Sequence, residues 1–146
     1  MKKTYIIISL FTVIIFVVIL YKQSTSNYSP KTKLLQTDEK YNRGKQVYEK
    51  NCVSCHDKKM TEYATAPPLG WITKLRDKKW LYNYTRNSMK MFNEKDLIAV
   101  KLRSQNFGLM PNFQMLNNED LDATYYYIEK EFEKNKINKK KGLENF

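Results

Sequence analysis

Apolar and polar positions divide the chain into four stretches. The first is an apolar run from Tyr5 to Tyr21, broken only by Ser9 and Thr12. Residues 22–36 follow, rich in Ser, Thr, Asn and Lys with Pro30, a composition that reads as a flexible tether. Residues 37–133 carry a helical rhythm. Tyr41, Gly44, Tyr48 and Cys52 recur on one face, and Leu121, Thr124, Tyr125, Ile128 and Phe132 on another. The first rhythm predicts a helix from Asp38 to Cys55, N-capped by Thr37, with Asp38 and Glu39 at its positive end. The second predicts a helix capped by Asn117 or Asn118 and ending near Glu133. Trp80–Asn87 and Asp96–Arg103 read as short helices between them. No alternating strand pattern extends far, so an all-α domain is expected. The tail, residues 134–146, is rich in Lys and Asn and reads as a fraying end.

Size and charge narrow the picture. The chain has 146 residues, enough for one targeting or membrane segment and one small domain. A domain of about 100 residues buries a modest core and often needs a staple; a flat apolar cofactor would serve as one. The formal net charge is +11. With Lys2 and Lys3 set aside, 24 basic residues still face 15 acidic ones. Such a balance suits nucleic acid, an anionic membrane or an acidic protein. Nucleic acid is excluded as a partner, because no recognition motif is present and the N-terminus points to export.

Met1-Lys2-Lys3 followed by the apolar run has the form of an export signal. The run is near the lower limit of about 17 residues for a spanning helix and longer than most signal cores. Ser24-Thr25-Ser26 is a poor cleavage site. Residues 1–21 are therefore expected to be an uncleaved signal anchor, with a cleaved signal peptide as the alternative. Either sends residues 37–133 out of the cytoplasm.

The chain has two Cys and one His, and all three fall in Cys52-Val53-Ser54-Cys55-His56. C-x-x-C-H is a covalent haem-attachment pattern. Two thiols three residues apart reach the two vinyl groups of one porphyrin, and the adjacent imidazole reaches the iron. A zinc site needs four ligands, and no second cluster exists. A thioredoxin-like pair needs an alternating strand–helix fold. A plain disulfide needs no His. With no second His, a sixth protein ligand to iron would be a Met: Met60, Met89, Met91, Met110 or Met115.

The motif and its surroundings resemble the class I cytochrome c family over roughly Thr37 to Phe132. The resemblance implies a helical domain wrapped around one haem c, preceded here by the N-terminal anchor. Gly44 and Tyr48 match the family's pattern before the first Cys, where the Gly lets the first and last helices cross closely. Tyr127-Ile128 resembles its closing Tyr-Ile pair, in which the aromatic packs at the helix crossing, with Tyr125 as the alternative aromatic. Met110-Pro111, in Gly108-Leu109-Met110-Pro111, stands where the family places its sulfur ligand. Ala66-Pro67-Pro68-Leu69 resembles the loop on the His side, where a Pro carbonyl, Pro67 or else Pro68, accepts the His Nδ1 proton and Leu69 packs on the porphyrin. The implied cofactor site is Cys52, Cys55, His56, Met110, Pro67 and Leu69, with His56 and Met110 on iron. Trp71, Trp80, Tyr84 and Arg86 are further candidates to line the haem or bind its propionates.

The implied activity is electron transfer rather than enzymatic turnover. The protein would be a monomeric carrier on the periplasmic side of the bacterial inner membrane, or soluble there after signal cleavage. It would serve acidic redox partners such as a quinol-oxidising complex, a terminal oxidase or another reductase. Two alternatives are a haem-bearing subunit of a larger redox complex and a gas-binding or enzymatic haem protein with an open sixth site. Charge is uneven along the chain: Asp57–Phe107 carries a net +6 and Asn117–Glu133 a net −5. Lys58, Lys59, Lys74, Arg76, Lys78 and Lys79 are the residues expected to steer docking.

Overall fold

A computed structural model describes residues 10–21 and 30–143, with side chains at 10–21 and 34–139. The chain forms two compact units, Met1–Asp38 and Glu39–Phe146. In the first, residues 10–21 are helical (α1) and expose their apolar side chains. Among the described residues no helix is long and apolar enough to cross a membrane. Residues 1–9 of the expected anchor and 22–29 of the expected tether lie outside the described residues.

Helix α2 runs Pro30–Asn51, so residues 30–36 are helical rather than tether. Proline suits a first helical position, since its fixed φ fits and its missing N–H costs no hydrogen bond there. Thr37 is consequently inside the helix rather than at its start; its hydroxyl donates back to the Leu34 carbonyl at 2.7 Å. The helix also ends earlier than expected, at Asn51, whose amide donates to the Val47 carbonyl at 2.9 Å.

Four short helices follow: α3 (Ile72–Leu75), α4 (Lys78–Arg86), α5 (Ser88–Asn93) and α6 (Leu97–Arg103). Each of the last three starts at a side-chain cap. Asp77 accepts from the Trp80 N–H at 2.8 Å, and Asn87 from the Lys90 N–H at 2.9 Å. Asp96 accepts from the N–H groups of Ile98 and Ala99, at 3.1 and 2.9 Å, and from the Trp80 indole at 3.1 Å. These bonds, led by the one from Ala99, hold the Asp96 carboxyl below its ordinary value against the opposing effect of burial. A group with a depressed folded pKa stabilises the fold above its unfolded value of about 4, and that contribution fades as pH falls through the folded value. Asp96→Ala is expected to lower stability by about 1–2 kcal/mol at pH 7. The difference from the parent should shrink in denaturant unfolding below about pH 4.

Helix α7 runs Asn118–Leu143. Asn117 caps it, accepting from the Asp120 N–H at 2.9 Å, while the Asp120 carboxylate accepts from the Asn117 N–H at 3.1 Å. It continues ten residues past the expected end at Glu133. Lys is a good helix former, and no breaker intervenes before Gly142. The Asn135 amide donates to the Glu131 carbonyl at 2.8 Å, and the Lys136 ammonium sits 5.1 Å from the Trp71 ring centre.

Helices α2 and α7 cross at Gly44. A methyl group there would lie 2.0 Å from the Ala123 carbonyl oxygen and 2.8 Å from the Tyr127 Cβ. Tyr127 packs its ring on Tyr41 and Tyr48, at 5.2 and 5.4 Å between centres, which makes it the closing aromatic. Tyr125 turns elsewhere, its hydroxyl 2.6 Å from the Thr85 hydroxyl. One buried cluster joins Tyr48, Met60, Tyr127 and Ile128; a second joins Leu81, Tyr82, Leu116 and Leu121. Among the described residues there is no strand, as the periodicity implied.

Candidate functional site

The five-residue motif closes the last turn of α2. Cys52 N–H donates to the Tyr48 carbonyl at 2.8 Å, and His56 N–H to the Cys52 carbonyl at 2.9 Å. This turn sets both sulfurs and the imidazole at the C-terminal end of the helix. It is anchored by Tyr48, which is fully buried and donates its hydroxyl to the Asp57 carbonyl at 2.9 Å. The Asp57 carboxylate accepts from the N–H groups of Thr61 and Glu62, both at 3.2 Å, and so starts the next loop.

Cys52 and Cys55 are free thiols, both half-buried. Burial pushes the Cys52 thiol up to about 12, and neighbouring Cys55 adds to the shift. Cys52 packs against the Tyr48–Ile128 cluster.

His56 Nδ1 lies 2.9 Å from the Pro67 carbonyl oxygen. Burial lowers the imidazole pKa, and the Pro67 carbonyl only partly opposes this. The ring is therefore neutral at pH 7. A carbonyl can only accept, so the proton is on Nδ1, and the Nε2 lone pair is left for a metal. Of the two prolines, Pro67 makes the bond. Its loop is held in place: Ala66 N–H donates to the Cys55 carbonyl at 3.0 Å and Gly70 N–H to the Met60 carbonyl at 2.8 Å. Leu69 is half-buried against the Tyr48–Ile128 cluster.

Met110 is half-buried in the segment between α6 and α7. Its carbonyl accepts from the Ser88 hydroxyl at 2.8 Å. Gly108 does not supply the constraint its neighbourhood suggested. It is not in the left-handed region, and a Cβ there would meet nothing. The constraint comes from α4 and α5. The Phe113 N–H donates to the Thr85 carbonyl at 3.2 Å, and Arg86 Nε donates to the Leu116 carbonyl at 3.0 Å. Sequence reasoning missed Ser88 and Thr85. The one available signal was Asn87, a helix cap that fixes the start of α5 and so points Ser88 inward.

The other methionines separate by position. Met60 is fully buried in the core, Met115 is 73 % exposed, and Met89 and Met91 are half-buried on α5. Each aromatic candidate packs against another aromatic ring. Trp80 stacks on Tyr84 at 4.7 Å, and Trp71 meets Phe132 edge-on at 5.9 Å. Arg86 is committed to Leu116 and to the Asn118 side chain.

Two free thiols and one neutral, pre-oriented imidazole fit haem c. The thiols would form two thioether links, and the free ring nitrogen would serve as a donor to the iron. The sequence profile of the cytochrome c family matches residues 41–131, more than half of the chain. Among solved structures, cytochrome c from Rhodothermus marinus superposes with a TM-score of 0.56 at 24 % identity, covering 66 % of this chain and 80 % of that one. An engineered form of it gives 0.55, and an engineered form bound to a carbene intermediate gives 0.54, both with the same identity and coverage. At this identity the likeness shows a shared fold. A comparison with curated proteins returns no match. The chain belongs to the cytochrome c family and carries haem c on Cys52 and Cys55.

Proposed function

We propose that this protein is a monohaem electron carrier with His56 and Met110 as the axial ligands, rather than an enzyme. The observation that carries the reading is the 2.9 Å contact between His56 Nδ1 and the Pro67 carbonyl. It fixes the ring and its tautomer and raises the donor strength of Nε2. When bound, the haem supplies a one-electron couple between Fe(III) and Fe(II). The chain's own residues do the rest. Cys52 and Cys55 prevent loss of the group, His56 donates nitrogen, and Met110 offers a soft sulfur that favours the reduced state. The test is a spectrum of the full chain, made with haem-attachment machinery, in both oxidation states. Covalent haem with the weak far-red sulfur-to-iron(III) band is expected. Attached haem without that band, together with ready binding of carbon monoxide, would overturn Met110 ligation.

The carrier would work at the periplasmic face of the inner membrane, held there by its N-terminal segment. The exposed apolar side chains of residues 10–20 support this. N-terminal sequencing of protein from the membrane fraction should return Met1 or Lys2; a new terminus beyond Tyr21 would show cleavage instead.

An acidic redox protein is the expected partner. Of the six expected docking residues, two already face acids on α7: Lys74 lies 3.3 Å from Glu129 and Lys78 lies 2.7 Å from Asp122. Arg76 sits over the Trp80 ring at 5.8 Å. Lys58, Lys59 and Lys79 are exposed and none forms a salt bridge among the described residues, although Lys59 lies near enough to Asp57 to help hold that carboxyl below its ordinary value. Replacing these three with Gln should slow electron transfer to an acidic partner about tenfold at low salt, and the effect should vanish at high salt. The same change at Lys74 and Lys78 should do less, because it removes charge that is already neutralised. Equal effects of the two sets would remove the basis for this assignment.

A further inference from the structure

The segment between Met110 and α7 has no regular structure, yet α4 and α5 hold it and the start of α7 at several points. Thr85 accepts from Phe113, and Arg86 donates to the Leu116 carbonyl at 3.0 Å and to the Asn118 side chain at 2.7 Å. All of these lie on the C-terminal side of Met110. At Met110 itself the main chain is held by Ser88 alone. Among the described residues, its hydroxyl makes the one hydrogen bond that reaches the main chain between residues 106 and 112. Ser88 is 3 % exposed and has no access to solvent as an alternative partner. It is the first residue of α5, fixed there by the Asn87 cap. The hydroxyl therefore has a defined place and a single main-chain acceptor.

We propose that Ser88 is a positioning residue for Met110: its hydroxyl fixes the Met110 carbonyl and so sets how firmly that side chain stays on the iron. The inference rests on Met110 being the sulfur ligand. A Met held by the chain only from Phe113 onward would swing away more often, and an added ligand would capture the vacated position.

The experiment uses the full-length ferric protein with haem attached. Imidazole is titrated in, and loss of the far-red band is followed. Ser88→Ala should bind imidazole about fivefold more tightly, the equivalent of losing one hydrogen bond of about 1 kcal/mol. Ser88→Thr, which keeps the hydroxyl, should stay near the parent, whereas Ser88→Val, isosteric with the Thr variant, should behave as Ala. Unchanged imidazole affinity in Ser88→Ala, or equal affinities for Thr and Val, would overturn the proposal. If Ser88→Ala takes up no haem, the Thr and Val pair decides the same question. Loss of fold in all three variants would make Ser88 a core residue and overturn it as well. Met110→Ala is run alongside. If the band survives that change, the ligand assignment has failed; if the band is lost there but Ser88→Ala matches the parent, only the role of Ser88 has failed.

Discussion

Gly44→Ala is expected to destabilise the haem-loaded protein by about 3 kcal/mol and to lower its melting temperature by about 10 °C or more. The reason is the closeness of the two long helices. The added methyl would stand 2.0 Å from the Ala123 carbonyl oxygen, and that atom belongs to the backbone of α7. A side chain in the way could change rotamer; a helix backbone has to translate. Moving α7 outward would loosen Tyr127 from Tyr41 and Tyr48, so the strain would spread to the residue that anchors the haem-bearing turn. Guanidinium unfolding followed at the haem band would measure the loss. A midpoint equal to that of the parent would mean that α2 and α7 do not meet at this position.

Met110→Ala should remove the far-red band and lower the reduction potential. Axial ligands shift haem potentials over about 0.8 V, so a fall on the order of 0.1 V or more is expected when a thioether is replaced by water or a stronger donor. The variant should also bind carbon monoxide when reduced. Met115→Ala should change neither property, since Met115 is largely exposed, and Met89→Ala should likewise leave the band in place. A surviving band in Met110→Ala would pass the role to one of those residues.

The attachment motif was legible because its chemistry is contained in five consecutive residues. A glycine within a helical rhythm, one turn from Tyr48, is costly without a packing reason, but that the reason is a crossing of the first and last helices was legible only through the family resemblance. Pro67 was legible only through the family resemblance, and the contact with His56 selects it over Pro68. Other features escaped for identifiable reasons. Thr37 carries a hydroxyl that serves equally as a cap or as a donor to its own helix, and the Thr37 hydroxyl bond to Leu34 takes the second course. The Lys- and Asn-rich end resembled a solvated tail, yet its residues are compatible with helix and α7 continues as far as Leu143. Helices α3 and α5 are too short, at four and six residues, to leave a periodic signature. Ser88 was invisible because its partner is a main-chain atom 22 positions away.

The contact between α2 and α7 also sets an order of events during synthesis. Position 44 is made early and position 123 late, and at Gly44 it is the α7 backbone that α2 lies against. Until the ribosome has delivered α7, Tyr48 lacks Tyr127 and the segment bearing both thiols lacks its inner wall. The nascent chain therefore stays open for most of its length. An open chain suits passage through a translocation pore, and it leaves Cys52 reachable before the core closes on it. Closure of the domain by α7 thus places thiol chemistry ahead of folding.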